Sequence, residues 1–383
     1  MSTASPPLAG IVDYGKSSLS DVLPSALAAL GVDGEPNTLE IEPAECVVVL
    51  LVDGLGWQLL SEHARHAPFL SSLAARQLTA GFPTTTAVSI TSLGTGVPPG
   101  QHGITGYTTR ADGVGEPVNW LTWRGVYSGA DLSDEQPPEQ VQPVATAFER
   151  AEAAGVSASV VSAPAFGHSG LTRAALRGAR YVPAFTAADT ATAVASVARA
   201  RRGLIYCYNS ELDLIGHVHG CHSEAWRLQL ELIDKAAQLL AERLPPGVRL
   251  LVTADHGMLD VPEQAKIDYD SEPSLSDGVE LLGGEPRVRY LHVAPGQLDS
   301  VRSRWAELVG HGMALLTRDE AIERGWFGPS VSEPARSRIG DLVAVSVSEL
   351  AVVRRKVASR NAQLVGYHGA LTDAELLVPL LSR

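Results

Sequence analysis

An uninterrupted apolar run at residues 46–52 constrains the fold more than any other segment of this 383-residue chain. Its sequence is CVVVLLV, so a strand formed by it must be buried on both faces. The run ends at Asp53-Gly54, and a helical pattern begins a few residues later. A doubly buried strand followed by a helix is typical of a parallel sheet covered by helices.

The same order of strand and helix recurs along the chain. Continuous or alternating apolar patterns predict strands at 157–161, 203–208, 249–253 and 340–347, and an exposed or edge strand at 287–293. Helical patterns fill 64–78, 187–200 and 222–243. The sequence therefore predicts an α/β fold with a mostly parallel central sheet and helices on both faces.

The length of the chain allows one large domain with insertions or two domains. The strand and helix pattern starts near residue 43 and runs to 383, so we predict a single α/β domain over 1–383 with its core at 43–383. Segments 110–141 and 258–286 interrupt the pattern, the first being rich in Gly, Pro and Asp. We predict that both are loop insertions near the active site, with a small cap as a further option.

Composition excludes several classes of protein. Hydrophobic residues make up 45% and charged residues 19% of the chain, which excludes general disorder. The net charge of −13, without a basic run, argues against stable nucleic-acid binding. No apolar run is long enough to span a membrane, and the first residues lack the pattern of a signal peptide. Three cysteines imply no disulfide framework, so we predict a cytoplasmic protein.

Acidic and imidazole side chains follow three of the predicted strands. Asp53 ends the first strand, Asp213 and His217 come soon after another, and Asp255-His256 follow a third. Ligands of open parallel sheets bind at the carboxyl ends of the strands. A single strand-end Asp often caps a helix, but Asp and His together suit zinc or manganese.

Three consecutive threonines, Thr84, Thr85 and Thr86, precede another helical segment. A hydroxyl at a helix N-terminus lies beside free N–H groups, where a phosphoryl group can bind. A hydroxyl whose pKa is lowered by a metal becomes a nucleophile at neutral pH. Simple capping of the helix by one threonine is the alternative interpretation.

Taken together, these motifs resemble the alkaline phosphatase superfamily, and within it the nucleotide pyrophosphatase/phosphodiesterase family. The resemblance extends from about residue 46 to 370 in the family's order. The motifs that carry it are Val52-Asp53-Gly54, Pro83-x-x-Thr86, Thr95-Gly96, His102-Gly103, Asp213-x-x-Gly216-His217, Thr253-x-Asp255-His256-Gly257 and Gly366-x-His368-Gly369.

The resemblance implies an alkaline-phosphatase-like fold and two bound Zn²⁺ ions, with Mn²⁺ or another divalent ion as an option. It implies that Thr86 lies at both metals and attacks phosphorus, forming a phospho-threonine intermediate. The implied ligands form two groups of three, namely Asp213, His217 and His368 for one ion and Asp53, Asp255 and His256 for the other.

Two positions depart from the family pattern. Tyr107 stands where the family has an Asn that binds a phosphoryl oxygen, and Ala87 replaces an aromatic residue that stacks on a nucleobase. Tyr208 matches the partner aromatic residue of that clamp, so Tyr107 and Tyr208 are candidate substrate-binding residues. The roles of three further residues stay open: Trp120 and Trp123 could complete the clamp or pack in the core, and His168 could contact the substrate.

The resemblance implies a metal-dependent hydrolase of phosphodiester or pyrophosphate bonds in nucleotides or related small phosphate esters. A phosphomonoesterase, or a phosphonate hydrolase such as phosphonoacetate hydrolase, remains an alternative because it shares the metal ligands and the Thr nucleophile. A sulfatase is disfavoured, since the nucleophile position holds Thr. A catalytically silent phosphate-binding protein is disfavoured because all six ligands and the nucleophile are present.

Overall fold

The computed structural model of the protein describes residues 12–200 and 202–383. Residues 1–11, which carry most of the segment from which we predicted the lack of a signal peptide, lie outside the described part. None of the helices in the described ranges combines the length and hydrophobicity that a bilayer crossing requires.

The centre of the molecule is a seven-stranded sheet. Five neighbouring strands are parallel, beginning with Val248–Thr253 and ending with Arg180–Pro183. Two strands at the other edge are added in antiparallel pairings. The spatial order is Ala74–Thr79, Leu377–Ser382, Val248–Thr253, Cys46–Val52, Gly203–Asn209, Ser157–Ser162 and Arg180–Pro183.

Helices cover this sheet in two groups. Helix Ala187–Ala200 packs on Glu224–Arg243, whereas helix Thr86–Thr95 packs on Gly170–Ala175 and Val22–Ala29. The fold class predicted from the sequence is therefore confirmed. The α-helices are Val22–Ala29, Trp57–Glu62, Pro68–Ser72, Thr86–Thr95, Pro99–His102, Pro138–Val141, Ala147–Ala153, Gly170–Ala175, Ala187–Ala200, Glu211–His219, Glu224–Arg243, Pro273–Ser276, Leu298–Val309, Arg318–Glu323, Glu333–Arg338, Ser359–Ala362 and Asp373–Leu376.

A second, antiparallel sheet comes from the last third of the chain. Its order is Val279–Glu285, Val288–Val293, Leu342–Ser346 and Met313–Thr317. Apolar side chains of these strands alternate between two separate buried clusters, so both faces of this sheet are covered. The strand predicted at 340–347 therefore exists but lies in this second sheet.

The prediction of an exposed or edge strand at 287–293 was wrong. Val288–Val293 is an interior strand, and its polar side chains are buried. Arg289, for example, donates from Nε to the carbonyl of Val352 at 2.9 Å. The alternation in the sequence reflects polar side chains that are buried, which a pattern alone does not distinguish from solvent-facing side chains.

The helix predicted over 64–78 was also wrong in its second half. The short helix Pro68–Ser72 ends at Ser72. Ala74–Thr79 is an edge strand, and it pairs with Leu377–Ser382. This pairing joins residues about 300 positions apart, so local propensity does not reveal it.

The two segments predicted as insertions contain short elements. Segment 110–141 holds strands Val118–Asn119 and Arg124–Gly125, which continue a small sheet from Thr108–Thr109, and helix Pro138–Val141. Segment 258–286 holds Leu259–Asp260, Lys266–Asp268, Pro273–Ser276 and the first strand of the second sheet. The remaining short strands are Ala351–Val353 and Gly366–Tyr367, which pair with Lys266–Asp268 and Leu259–Asp260.

Candidate active site

Three adjacent parallel strands bring the acidic and imidazole residues to one edge of the large sheet. Cys46–Val52 lies between Val248–Thr253 and Gly203–Asn209, and all three end at nearly the same level. Asp53 and Asp255-His256 therefore follow the ends of two adjacent strands and lie next to each other. The third strand is followed by helix Glu211–His219, which carries Asp213 and His217.

The turn after the first strand requires a glycine. Gly54 has a φ of +75°, and a Cβ built there would lie 3.1 Å from both Cα and Cβ of Asp213. Glycine adopts this left-handed conformation without a steric penalty. The Asp53-Gly54 turn can thus approach the helix that carries Asp213 closely enough for the two carboxylates to share one site.

The first predicted ligand group is assembled from two distant parts of the chain. His217 Nε2 lies 3.4 Å from Asp213 Oδ2 and 3.3 Å from His368 Nε2. His368 Nε2 lies 3.9 Å from Asp213 Oδ1. His368 follows strand Gly366–Tyr367, which runs beside helix Glu211–His219. The structure therefore brings all three predicted residues together.

The second predicted ligand group is equally close. His256 Nε2 lies 3.5 Å from Asp53 Oδ1 and 3.4 Å from Asp255 Oδ2. The ring of His256 stacks on that of His368, with centroids 3.6 Å apart. As a result, ligand atoms of His256, His368 and Asp213 also lie within 4.8 Å of one another. The six predicted residues form one continuous cluster with His256 at its centre.

Backbone carbonyls fix the orientation of the three imidazoles. Nδ1 of His217, His256 and His368 lies 2.8, 3.0 and 2.8 Å from the carbonyl oxygens of Gly366, Gly257 and Thr84, respectively. Since a carbonyl only accepts, each Nδ1 carries the proton. Each Nε2 then presents its lone pair to the site, as a metal ligand must.

The carboxylates of the site lack a compensating cation among the described side chains. Buried oxygens of Asp53, Asp213 and Asp255 have no hydrogen-bond partner there. The pKa of Asp53 is raised well above its usual range, mainly by burial and secondly by the negative charges of Asp255 and Asp213. Burial also raises the pKa of Asp213. These acceptor-only oxygens beside imidazole lone pairs fit divalent metal ions, which would offset the repulsion.

Thr86 is the threonine that reaches this cluster. It is the first residue of helix Thr86–Thr95, after Thr85 at the N-cap, and its Oγ1 lies 3.2 Å from His256 Nε2. Thr84 instead donates to the carbonyl of Ala370 at 2.8 Å. Among the three hydroxyls, that of Thr86 is therefore positioned as the candidate nucleophile, close to groups that would hold a cation.

Two cavities of different character meet at Thr86, Asp213 and Leu121. The first, of about 380 Å³, has mostly apolar walls. The second, of about 230 Å³, has the larger polar share, from groups such as Glu285, His217 and His368, but Pro286 and Leu364 also line it. A phosphorus atom in front of Thr86 would therefore have room for a substituent on either side.

Aromatic rings border the apolar cavity. The ring of Phe166 meets that of Tyr208 edge to face, with centroids 5.9 Å apart, and the Tyr208 hydroxyl donates to Asp53. Phe166 is partly exposed, and no sequence motif pointed to it. The rest of the wall includes Ile90, Leu121, Leu171, Leu176, Tyr181 and Leu214.

Trp120 and Trp123 pack in the interior. Both are buried, and their rings meet edge to face at 4.8 Å. Their indole nitrogens donate to Thr109 Oγ1 and to the carbonyl of Gln136. The two residues between them, Leu121 and Thr122, line the apolar cavity instead. His168 is exposed and lies outside both cavity walls.

The polar cavity is lined by the candidate residue Tyr107, together with two residues that the sequence analysis missed. Burial raises the pKa of the Tyr107 hydroxyl, whereas the nearby side chains of Asn119 and Asn361 lower it to a smaller extent. Glu285 ends a strand of the second sheet. Its pKa lies well above the usual range, mainly because the carboxyl is buried and secondly because of the charge of Glu375. The alternating pattern of the second sheet could have placed Glu285 at a strand end, whereas nothing local marks Asn361.

Comparisons with known proteins agree with this geometry. The profile of the family described as type I phosphodiesterase/nucleotide pyrophosphatase matches residues 47–371. No curated protein matches the chain.

Among solved structures, murine ectonucleotide pyrophosphatase/phosphodiesterase 5 is 19% identical, with a TM-score of 0.68 over 88% of this chain and 87% of that chain. An inactive form of the murine protein in complex with AMP gives a TM-score of 0.69 at 19% identity, with the same coverage. Phosphonoacetate hydrolase from Sinorhizobium meliloti, in complex with phosphonoacetate, is 20% identical and gives 0.65 over 88% of this chain and 89% of that chain. At these identities the likeness shows a shared fold.

Proposed function

The chain belongs to the type I phosphodiesterase/nucleotide pyrophosphatase family and is a hydrolase of phosphate esters, and from this premise we propose that it cleaves phosphodiester bonds through a phospho-threonine on Thr86. The observation that carries the proposal is the position of Thr86 between two cavities. A diester has two organic substituents on phosphorus and fills both sides, whereas a monoester fills one. A pyrophosphate bond is the second candidate, although its further anionic phosphoryl group would find no Lys or Arg in either described cavity wall.

The reaction proceeds in two displacements at phosphorus. Oγ1 of Thr86 forms a bond to phosphorus while the bond to the leaving oxygen breaks, and the hydroxyl proton passes to solvent. The leaving oxygen departs into the cavity opposite the attacking hydroxyl and takes up a proton. Water then cleaves the Thr86–phosphorus bond and releases a phosphate monoester and free Thr86.

Asp53, Asp255 and His256 would hold one metal ion and Asp213, His217 and His368 the other. Bound divalent ions, which we propose to be Zn²⁺, lower the pKa of a coordinated hydroxyl and neutralise charge on the phosphoryl oxygens. The chain itself orients the ligands through the three Nδ1 contacts to carbonyls. Tyr107 would donate a hydrogen bond to a phosphoryl oxygen.

The charges around the cavities narrow the substrate class. No Lys or Arg lines either cavity in the described part of the chain. A second anionic group, such as the carboxylate of a phosphonoacetate, would find no basic side chain there. The aromatic and apolar walls near Phe166 instead suit a flat, uncharged group such as a nucleobase or an aryl ester. The AMP bound to the murine relative is compatible with this substrate class.

The cytoplasmic location predicted from the sequence remains a proposal. All three cysteines are buried and free, which is compatible with a reducing compartment.

The first test compares hydrolysis of bis-p-nitrophenyl phosphate and p-nitrophenyl phosphate by the Zn²⁺-loaded protein. We expect a higher kcat/KM for the diester, and we expect Thr86→Ala to reduce it by on the order of 10³-fold or more. Thr91→Ala is the matched control, because Thr91 lies in the same helix and donates to the carbonyl of Ala87.

The possible outcomes separate the candidate functions. A preference for the monoester would contradict the diester proposal and favour a phosphomonoesterase. Activity on phosphonoacetate but on neither ester would favour the phosphonate hydrolase. Full activity of Thr86→Ala would show that the nucleophile is another group.

A further inference from the structure

A second cluster of potential metal ligands lies on the surface, outside both cavities. Glu62 ends helix Trp57–Glu62, His63 follows it, and His222 precedes helix Glu224–Arg243. One ligand atom from each of the three residues lies within 4.8 Å of the others. None of the three lines either cavity around Thr86.

The distance between the two imidazoles fits coordination. His63 Nε2 lies 3.4 Å from His222 Nδ1. In a tetrahedral site with Zn–N bonds of about 2.05 Å, two ligand nitrogens lie about 3.3 Å apart. The candidate catalytic centre gives an internal comparison, because His217 Nε2 and His368 Nε2 are separated by 3.3 Å. The spacing of the surface pair is therefore similar to that of two residues proposed as ligands in the catalytic centre.

Neighbouring groups contact the ring of His63 and the backbone of His222. The ring of His63 packs on the buried Trp226, with centroids 5.1 Å apart. Arg227 donates to the carbonyl of His222. Ligands that are positioned before binding lose little conformational entropy when the ion arrives.

A further contact joins segment 62–66 to helix Glu224–Arg243. His66 Nδ1 lies 2.7 Å from Glu231 Oε1, and Nε of Arg65 donates to His66 Nε2 at 3.0 Å. His66 is thus engaged by other groups and is not counted as a ligand. Its contacts keep segment 62–66 against helix Glu224–Arg243, which fixes the distance between His63 and His222.

We propose that Glu62, His63 and His222 bind one divalent transition-metal ion, of which Zn²⁺ is the best fit, at a surface site separate from the catalytic centre. Two imidazole nitrogens and one carboxylate oxygen provide three of four tetrahedral positions, and water takes the fourth. The ion joins the end of helix Trp57–Glu62 to the connection between helices Glu211–His219 and Glu224–Arg243. It stabilises the contact between these segments and takes no part in ester hydrolysis.

The test is the zinc content of the full chain after equilibration with Zn²⁺ and removal of loosely held ions. We expect the double variant His63→Gln/His222→Gln to contain one equivalent less than the unchanged protein. His219→Gln is the matched control, since His219 is exposed on the adjacent helix and outside the cluster. Only the difference between variants matters, so the result does not depend on how many ions the catalytic centre binds.

Three outcomes would overturn this proposal. The first is an unchanged zinc content in the double variant. The second is an equal loss in His219→Gln, which would indicate binding to any surface histidine. The third is a loss of ester hydrolysis in the double variant together with the loss of one zinc equivalent, since the cluster would then serve the active site.

Glu62→Gln provides an independent measurement because the Glu62 carboxylate is exposed and its substitution leaves the packing on Trp226 intact. We expect it to weaken Zn²⁺ binding in competition with a chelating dye, without lowering the melting temperature of the chelator-treated protein. Unchanged Zn²⁺ affinity would remove the carboxylate from the proposed site.

Discussion

The two cavities that meet at Thr86 differ in both origin and chemistry. The apolar cavity is built mainly from the large sheet and the helices on it, with residues such as Ile90 and Tyr208. The polar cavity takes Glu285 from the second sheet and Asn361 and His368 from the end of the chain. The proposed nucleophile Thr86 thus lines one cavity with mainly apolar walls and another with more hydrogen-bonding groups.

This difference implies that each side makes its own contribution to catalysis. Apolar contacts to a departing or retained organic group are the same in the ground state and the transition state, so they act mainly on KM. Hydrogen bonds to phosphoryl oxygens strengthen as charge develops, so they act mainly on kcat. Substitutions on the two sides should therefore have different kinetic signatures.

Metal removal should have the largest effect, because residues of the proposed ligand cluster line both cavities. Treatment with a strong chelator should lower hydrolysis of every ester by on the order of 10³-fold or more. Readdition of Zn²⁺ should restore activity, measured together with bound metal. Full activity in protein shown to be free of metal would contradict the assignment of Asp53, Asp213, Asp255 and the three histidines as ligands.

The polar side is tested by Tyr107→Phe, which removes the buried hydroxyl and retains the ring. A hydrogen bond to a charged group contributes about 1.5–3 kcal/mol, so we expect kcat to fall by roughly 10- to 100-fold. The fall should be the same for diesters with large and small substituents, measured by steady-state kinetics. Tyr127→Phe is the control, because Tyr127 is exposed. A change confined to KM would place Tyr107 outside the phosphoryl site.

The apolar side is tested by Phe166→Ala and should give the smallest effect. Loss of one aromatic contact costs about 0.5–1.5 kcal/mol, so KM for an aryl or nucleoside diester should rise roughly 2- to 10-fold. A dimethyl or other small diester should be nearly unaffected, and Phe166→Tyr should retain most of the affinity. Phe185→Ala is the control, since Phe185 is 79% exposed and lies outside the cavity wall.

Equal effects of Phe166→Ala on large and small esters would contradict the proposed difference between the two cavities. Such a result would mean that Phe166 acts through Tyr208 and its contact with Asp53 instead of through the substrate. The same set of esters measured with Tyr107→Phe separates these explanations, because the two residues lie on opposite sides of Thr86.

The residues that the sequence located are those marked by local patterns. Cys46–Val52 was predicted with its observed bounds because a doubly buried strand needs apolar side chains at every position. Asp53, Asp255 and His256 follow directly from strand ends, and parallel strands place such ends at one edge of the sheet. The fold class and the expectation of a clustered site therefore came from short, contiguous stretches of sequence.

The sequence analysis did not locate the elements and residues whose place depends on contacts between distant parts of the chain. Residues 74–78 were predicted as helix, but Ala74–Thr79 is a strand that pairs with a strand at the end of the chain. Phe166 and Asn361 carry no motif, and their roles arise from which elements pack around Thr86.

His368 shows both contributions at once. Its Gly366-x-His368-Gly369 motif marked it as a ligand by resemblance, but the orientation of its ring depends on the carbonyl of Thr84, 284 residues away. The sequence by itself determined which residue types stand at the ends of the strands, because burial patterns and turns are local. The tertiary structure alone decided which of those groups meet and what surrounds them, because hydrogen bonds and cavity walls join segments whose separation along the chain leaves no local trace.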